Sequence, residues 1–402
     1  MKGRRRDAPS FRKRREALKT THREVSGKNL VVNAACHCVR ESNGWRIGLP
    51  LRIVLILLIA LGSDVIAGAR TPPEGSSVIL MIGDGMGIGQ IEAARRAAGD
   101  FGGLTMDTLE IQDGRLRTDD VRGRTTDSAA AATAMSTGRK TAAGGLGVNA
   151  RGRSLMTIAE LAMATGRAVG LVTTVSLTHA TPAAFVVHVP DRNYFMPIAE
   201  QMVASGASVL LGGGAGHFLP RGAPSPHAAS GDRRDDRNLV EEAEAAGYSV
   251  VWSAAELAHV DADSTPLLFG LFADEEMLRP LEPTLATMTW AAIEILSRDP
   301  DGFFLMVEGG LIDWVCHEND AAAAIELTLG FDSAVEVALD YTRDVGNALL
   351  IVTADHETGG MQVYRDQHHS LREDGPFAGP AGESFYVNWA PVSYTHLRAH
   401  ET

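Results

Sequence analysis

The chain has 402 residues, of which 45 % are hydrophobic, so it is long enough to bury a large core. Its net charge of −13 is unevenly distributed. Residues 1–52 carry 14 basic and 4 acidic side chains, which leaves 23 basic against 46 acidic side chains in residues 53–402. This acidic body lacks the lysine and arginine excess with which proteins neutralise nucleic-acid phosphates, so no nucleic acid partner is expected.

The N-terminal part has the composition of an export signal rather than of a folded domain. Residues 1–52 are predicted to be a disordered basic leader or a wrongly assigned start. Residues 53–69 combine a short apolar run with Ala67-Gly68-Ala69, a pattern typical of a signal-peptidase site. The run is too short to span a membrane, and a buried core helix is the alternative. We therefore expect a periplasmic or secreted protein.

From residue 76 onward, apolar runs alternate with alanine-rich helical stretches. This pattern predicts an α/β fold with a central, mostly parallel sheet and helices on both faces. Polar, chemically capable residues follow each run, and open α/β sheets bind ligands beyond the carboxyl ends of their strands. Residues 220–238 are predicted to be a surface loop without a chemical role. The candidate strands are residues 78–82, 168–173, 208–211, 303–307 and 348–353.

A glycine turn, Gly83-Asp84-Gly85-Met86-Gly87, follows the first candidate strand. Its spacing does not match the dinucleotide-binding fingerprint GxGxxG, and an aspartate in the turn would repel a pyrophosphate. The turn can instead lift Asp84 clear of the sheet as a functional carboxylate. A purely structural turn is the alternative.

A second motif places a serine at the start of a helix. Residues 126–135, TDSAAAATAM, predict a helix with Asp127 as its N-cap and Gly138 as its stop. Ser128 then lies where free backbone N–H groups and the helix dipole favour an alkoxide and a bound phosphate. No histidine lies nearby in sequence to act as a base, so metal ions are the other route to an activated serine. An ordinary capped helix is the alternative.

Metal-binding residue types follow three other candidate strands. They are Glu308, Asp313 and His317, then Asp355 and His356, and finally His179 with Thr181. Carboxylate and imidazole together suit zinc, whereas carboxylate and hydroxyl suit magnesium. Each cluster alone is as consistent with a solvated loop. At one edge of a sheet, however, their mutual repulsion predicts bound cations.

Together these segments resemble the alkaline phosphatase family. The resemblance rests on GDGMG at residues 83–87, TDSAAAATAMSTG at 126–138, THATPAAF at 178–185, the spacing of Glu308, Asp313 and His317, and TADHETGG at 353–360. It covers residues 76–390 and implies a catalytic domain built as a three-layer sandwich. It also implies a homodimer that hydrolyses small phosphate monoesters through a phosphoserine. Ser128 would be the nucleophile, and Arg192 would bind two phosphate oxygens.

The same resemblance implies two zinc ions and one magnesium ion as cofactors. One zinc would be held by Asp313 and His317, the other by Asp84, Asp355 and His356, and magnesium by Asp84, Thr181 and Glu308. His179 lies beside the magnesium site, and its combination with Trp314 resembles a bacterial subgroup. Coordination of magnesium by His179, direct or through water, stays open.

The C-terminal end departs from the family pattern. In the family, a Gly-His-Thr motif supplies a third ligand to the first zinc shortly after a segment like residues 387–390, and here it is missing. His396 is a candidate substitute. Residues 391–402 resemble non-native read-through, so the domain at 76–390 is predicted to be truncated. Two alternatives stay open: a phosphodiesterase or sulfatase of the same superfamily, and a non-catalytic binder of metal and phosphate.

Overall fold

The computed structural model describes residues 75–98, 103–109, 116–227, 230–367, 373–379 and 382–390. The predicted basic leader, the predicted signal peptide and the predicted tail with His396 lie outside these residues. Within them, no helix combines the length and the apolar character that a membrane crossing requires.

In the part of the chain that the structure describes, seven parallel strands form the central sheet. They are β1 (Ser77–Gly83), β2 (Ala168–Ser176), β3 (Val209–Gly213), β4 (Ser249–Val251), β5 (Leu268–Leu271), β6 (Phe303–Gly309) and β7 (Ala348–Ala354). Their order is β4-β5-β3-β2-β6-β1-β7. All five candidate strands are present, and the predicted α/β class is confirmed. The short β4 and β5 were missed because three or four residues carry little periodic signal.

Helices cover both faces of this sheet. They are α1 (Ile88–Ala98), α2 (Ser128–Thr137), α3 (Ile158–Ala164), α4 (Ala180–Ala183), α5 (Phe195–Ala204), α6 (Leu239–Ala245), α7 (Ala254–Leu257), α8 (Leu285–Leu296), α9 (Leu311–His317) and α10 (Ala321–Val345). Along β1, Ile79 and Met81 belong to a core shared with α1, α8 and α10. Leu80 and Ile82 belong to a core shared with α2, α3 and α5. Because strand side chains alternate between faces, both faces are buried, as a three-layer sandwich requires.

A small antiparallel sheet follows the central one and was not predicted. It contains β8 (Gln362–Tyr364), β9 (Glu373–Ala378) and β10 (Ser384–Asn388), in the order β8-β10-β9. Just after β10, the Ala390 N–H donates to the Gly359 carbonyl at 3.0 Å. The Trp389 indole donates to Asp374 at 2.9 Å. The first contact holds the sheet against the loop that follows β7, and the second connects the end of β10 to β9.

Residues 220–238 contain no helix or extended strand where they are described, as expected for a loop. The prediction of a surface segment is wrong at Arg233, whose side chain is fully buried. Its guanidinium donates to Glu200 at 2.8 Å, to Asp235, and to the His217 carbonyl at 3.2 Å. Burial of an arginine is tolerated when its charge is paired and its donors are satisfied. The loop is therefore anchored to the domain through this side chain.

Candidate active site

The order of the strands explains why side chains far apart in sequence meet. β1 lies between β6 and β7, and β2 pairs with the other edge of β6. In this register Ile82 is level with Glu308, and Glu308 is level with Thr173. The four strands therefore end together, and the residues that follow them converge at one edge, as the sequence predicted.

The glycine turn after β1 allows a close approach of main chain and ligands. Gly85 has a φ of +67°, and a Cβ atom there would lie 2.8 Å from Asp313 Oδ1. Both the left-handed backbone and the lack of space require glycine. The Gly85 N–H donates to Asp355 Oδ1 at 3.1 Å. The turn thus joins the ends of β1 and β7 around the fully buried Asp84.

Ser128 is the first residue of α2, as predicted. Asp127 caps the helix by accepting from the Ala130 N–H at 2.9 Å, and Gly138 ends it in the left-handed conformation. Ser128 is almost completely buried, and its Oγ lies 3.4 Å from Nε2 of His356. The histidine that is absent from the neighbouring sequence is therefore supplied by the loop after β7.

His356 belongs to a cluster of three side chains of metal-ligand type. We call Asp84, Asp355 and His356 the inner group. Their ligand atoms all lie within 4.8 Å of one another. His356 Nε2 is 3.3 Å from Asp84 Oδ1 and 3.4 Å from Asp355 Oδ2. Both oxygens of Asp84, and Oδ2 of Asp355, are buried and accept no hydrogen bond. These three side chains are the ones predicted for one zinc ion.

A second set of side chains shares Asp84, and we call Asp84, His179 and Glu308 the outer group. Their ligand atoms also lie within 4.8 Å of one another. Glu308 Oε2 accepts from the Thr173 hydroxyl at 2.5 Å, whereas Oε1 is buried without a hydrogen bond. Burial raises the pKa of Glu308, and the hydroxyls of Thr173 and of Thr181, which is fully buried in α4, act against this shift. The predicted magnesium residues are therefore together, and His179 joins them.

Asp313 and His317, which we call the helix pair, lie one turn apart on α9. His317 Nε2 is 3.4 Å from Asp313 Oδ2. An i, i+4 spacing places both side chains on one face of the helix, as two ligands of one ion require. Within the described ranges, no third histidine, cysteine or carboxylate completes a group with this pair. The predicted substitute ligand, His396, lies beyond them.

The accumulation of buried carboxylates shifts their pKa values. Burial, followed by the charge on Asp355, raises the pKa of Asp84 well above its usual range. Burial also raises the pKa of Asp355, and it raises that of Glu308 to about 7. Burial acts in the same direction on Asp313, but the hydrogen bond with His317 helps to bring its pKa below the usual range. Ionisation of Asp84, Asp355 and Glu308 is therefore unfavourable in the protein without a bound cation.

Arg192 lies between α2 and the outer group. Its Nη1 donates to Asp127 at 3.4 Å, and its Nη2 lies 2.9 Å from His179 Nε2. A guanidinium only donates, so His179 Nε2 is the acceptor. Burial, together with the charge on Arg192, lowers the pKa of His179 to about 3 and keeps the imidazole neutral. The Arg192 side chain remains 20 % exposed, so an incoming anion can reach it.

Comparison with known sequences agrees with this arrangement of side chains. Residues 76–375 match the sequence pattern of the alkaline phosphatase family. The chain belongs to the alkaline phosphatase family. The predicted family is thereby confirmed, and membership identifies a phosphatase, for which hydrolysis of phosphate monoesters by a metal-dependent enzyme is implied.

Individual alkaline phosphatases and related enzymes are similar over most of the chain. Alkaline phosphatase 3 of Bacillus subtilis is 37 % identical over 77 % of this chain and 68 % of its own length. Streptomycin-6-phosphate phosphatase of Streptomyces griseus is 38 % identical over 78 % of this chain and 80 % of its own. The solved alkaline phosphatase of the Antarctic bacterium TAB5 superposes with a TM-score of 0.67 at 30 % identity, covering 80 % of this chain and 88 % of that one. A TAB5 variant, with a TM-score of 0.64 at 28 % identity over 79 % of this chain and 91 % of that one, has Mg bound in its M3 site.

Two residues of this phosphatase, Thr358 and Asp127, make contacts that had no signal in the sequence. Thr358 donates to Asp313 Oδ1 at 2.5 Å, and its hydroxyl lies 3.2 Å from His356 Nδ1. It therefore touches the helix pair and the inner group at once. Asp127, predicted only as a helix cap, also accepts from the Gly144 N–H at 3.0 Å and receives Arg192. Thr358 stands two residues after His356, but its contact with Asp313 spans 45 residues and cannot be deduced from spacing.

Replacing Asp127 should weaken both the fold and phosphate binding. Asp127→Ala removes the helix cap, which should lower the free energy of unfolding by about 1 kcal/mol, and it leaves Arg192 without its carboxylate. Asp127→Asn keeps an oxygen for the cap and removes only the charge. Urea denaturation and the inhibition constant of inorganic phosphate separate the two effects. Unchanged stability and unchanged inhibition in Asp127→Ala would contradict this assignment.

Proposed function

We propose that this phosphatase hydrolyses phosphate monoesters through a phosphoserine at Ser128, in a site that holds two zinc ions and one magnesium ion. The observation that carries the proposal is the position of Ser128. Its Oγ lies at the N-terminus of α2 and 3.4 Å from a histidine of the inner group. A nucleophile at this point adjoins both a helix N-terminus, which binds phosphate, and a set of zinc ligands.

The residues present fit cations of this kind. Asp84, Asp355 and Glu308 keep buried oxygens that accept no hydrogen bond, an arrangement that is costly unless a cation satisfies them. The inner group would hold one zinc through two carboxylates and an imidazole, and the helix pair would contribute to the other. Asp84, Thr181 and Glu308 would hold magnesium, which prefers oxygen ligands. His179 lies in the same outer group.

The ions, when bound, supply the Lewis acidity that lowers the pKa of an oxygen nucleophile and offsets charge on the reacting phosphoryl group. Ser128 Oγ gives up its proton and forms a bond to phosphorus, while the bond from phosphorus to the ester oxygen breaks and that oxygen takes up a proton, so that the alcohol departs. The N–H groups of α2 face the transferred phosphoryl group. Water then attacks the phosphoserine, which releases inorganic phosphate and restores the serine hydroxyl.

Arg192 orients the phosphoryl group during both steps. Its guanidinium is fixed by Asp127 on one side and by His179 on the other. It can direct two parallel N–H donors at two phosphate oxygens, the geometry in which arginine binds phosphate most strongly. Because the charge of the transition state is spread over these oxygens, such donors lower the barrier as well as bind the substrate.

The proposed substrates are small phosphate monoesters. The enzyme would hydrolyse them as an exported homodimer, in the periplasm or outside the cell. Attraction of the substrate would be local, because the body of the chain is strongly acidic. A nucleic acid partner is not proposed for the same reason.

The proposal is tested by comparing ester classes with the 402-residue chain loaded with zinc and magnesium. An aryl phosphate monoester should be hydrolysed far faster than the matched diester or sulfate ester. Mass spectrometry of metals should find zinc and magnesium in the active protein. A diester or sulfate rate equal to the monoester rate would contradict the proposal, as would full activity after the metals are stripped.

Metal removal should make stability depend on pH through Glu308. The folded pKa of about 7 exceeds the ordinary value of 4.5, so the folded state retains this proton more tightly than the unfolded chain. The resulting stability is complete below pH 4.5 and is lost as the pH rises through about 7. Thermal unfolding of the chelator-treated protein should therefore occur at lower temperature at pH 8 than at about pH 5.

Glu308→Gln is the matched control for this pH effect, because it keeps the shape of the side chain without a titrating proton. The difference between the melting temperatures of the two metal-free proteins should grow as the pH rises. A difference that stays constant with pH would show that Glu308 does not titrate in this way.

A further inference from the structure

His217 lies beneath the turn that carries His179. It ends a short 3-10 helix, Ala215–His217, that follows β3, and its residue is only 8 % exposed. Its Nδ1 lies 2.7 Å from the Thr178 hydroxyl and 3.4 Å from the Ser176 hydroxyl. These two hydroxyls are 2.8 Å apart. Nδ1 of His217 therefore contacts both hydroxyls of the segment that leads into His179.

The same imidazole also contacts the segment that carries Arg192. Phe195, three residues after Arg192, stacks on His217 with ring centroids 4.7 Å apart and planes 3° from parallel. The buried Arg233 side chain donates to the His217 carbonyl at 3.2 Å and to the Met196 carbonyl at 3.4 Å. Arg233 thus holds the main chain of His217, while the ring presents its face to Phe195 at the start of α5.

His179 and Arg192 come from two segments that meet twice. They meet in the site, where Arg192 Nη2 is 2.9 Å from His179 Nε2, and they meet again at His217 through Thr178 and Phe195. We propose that His217 is a positioning residue that keeps Arg192 and the turn of His179 in the geometry that phosphate and magnesium binding require. The inference rests on the proposed function of the site.

The neighbours of the ring are consistent with a neutral hydrogen-bonding imidazole. Burial lowers the pKa of His217, the charge on Asp232 raises it, and Arg233 lowers it further. A neutral imidazole offers one donor and one acceptor nitrogen, either of which can pair with the Thr178 hydroxyl. The hydrogen bond and the stacking contact can therefore persist together.

His227 provides a matched control. Its side chain is also partly buried, it bonds to a main-chain carbonyl (Leu271, 2.8 Å), and it lies beside an aromatic ring, that of Trp252 at 6.1 Å. The difference is that these contacts involve neither the segment of Arg192 nor that of His179. A histidine that only supports the fold should affect stability alone, whereas His217 should also affect ligand binding.

The test uses calorimetric titration of the metal-loaded full chain with inorganic phosphate, and of the magnesium-depleted chain with Mg²⁺. His217→Ala should raise the dissociation constant of phosphate by about tenfold, the loss expected when one charge-assisted contact is misplaced. The Mg²⁺ concentration for half-saturation should rise as well. His227→Ala should change neither, whatever happens to its melting temperature.

Two further variants separate positioning from folding. Thr178→Val removes the hydroxyl with little change in volume and should weaken phosphate binding in the same direction, even if His217→Ala does not fold. His217→Asn places an amide near the position of Nδ1 and should restore phosphate affinity to within about threefold of the wild type. Failure of the asparagine variant to restore any affinity would count against the hydrogen bond and overturn the proposal.

Wild-type affinity for phosphate and Mg²⁺ in folded His217→Ala or Thr178→Val would also overturn it, as would an equal loss in His227→Ala. These results would leave the proposed function intact. If the wild-type chain itself bound neither phosphate nor Mg²⁺, the proposed function would fail first, and the positioning role would fall with it.

Discussion

Ser128→Ala is expected to lower kcat/KM for a phosphate monoester by about a thousandfold or more, the loss typical of removing a covalent nucleophile. The physical reason is that Ser128 combines the N-terminus of α2 with contact to His356 of the inner group. Phosphate binding should persist, because Arg192 and the N–H groups of the helix remain. Binding and turnover should therefore separate in this variant.

Initial rates and acid trapping of the phosphoenzyme measure this effect. Mass spectrometry should place the trapped phosphate on Ser128 in the wild type and find none in the variant. Ser136→Ala is the matched control, since it is the same change in the same helix and breaks a buried hydrogen bond to the Ala184 carbonyl. Ser136→Ala is expected to lower the stability of the protein without lowering its activity. A Ser128→Ala enzyme that keeps its rate would exclude Ser128 as the nucleophile.

Asp84→Asn is expected to have the second largest effect, because Asp84 is the one residue common to the inner and outer groups. Loss of its charge should weaken both predicted ions together. We expect kcat/KM to fall by at least about a hundredfold, since altering even the partners of metal ligands costs ten- to a hundredfold. Metal content should fall for zinc and magnesium alike.

The same substitution should have the opposite effect on the metal-free protein. Burial and the charge on Asp355 disfavour ionised Asp84, so a neutral amide at this position removes an unfavourable charge. The melting temperature should therefore rise in chelator and fall relative to the wild type when metals are present. Asp344→Ala, a change of an exposed aspartate in the last turn of α10, is the control and should alter neither metal content nor activity. Loss of one metal alone would contradict a shared role for Asp84.

Local sequence was sufficient to predict those features whose physical cause is local. The continuous apolar runs of β1, β2, β3 and β6 reflect burial on both faces, whereas the edge strand β7 is mostly half-buried; all five runs were located from the sequence. The start of α2 followed from the capping side chain of Asp127 and its end from Gly138. The sequence predicted a glycine turn that includes Gly85, but it did not predict that Gly85 lies close to Asp313.

Non-local pairing decided everything that concerns mutual geometry. The order β2-β6-β1-β7 brings His356 to Ser128 across 228 residues, and no local pattern encodes which parallel strands are neighbours. The sequence also did not predict the contact between Asp127 and Arg192. Nor did it predict that Arg233, in a polar loop, is buried. The sequence by itself determined five strands of the central sheet, the start of α2 and the chemical types of the candidate ligands. Only the tertiary structure decided which ligand-type side chains lie together and which neighbours hold them, because that depends on packing between distant segments.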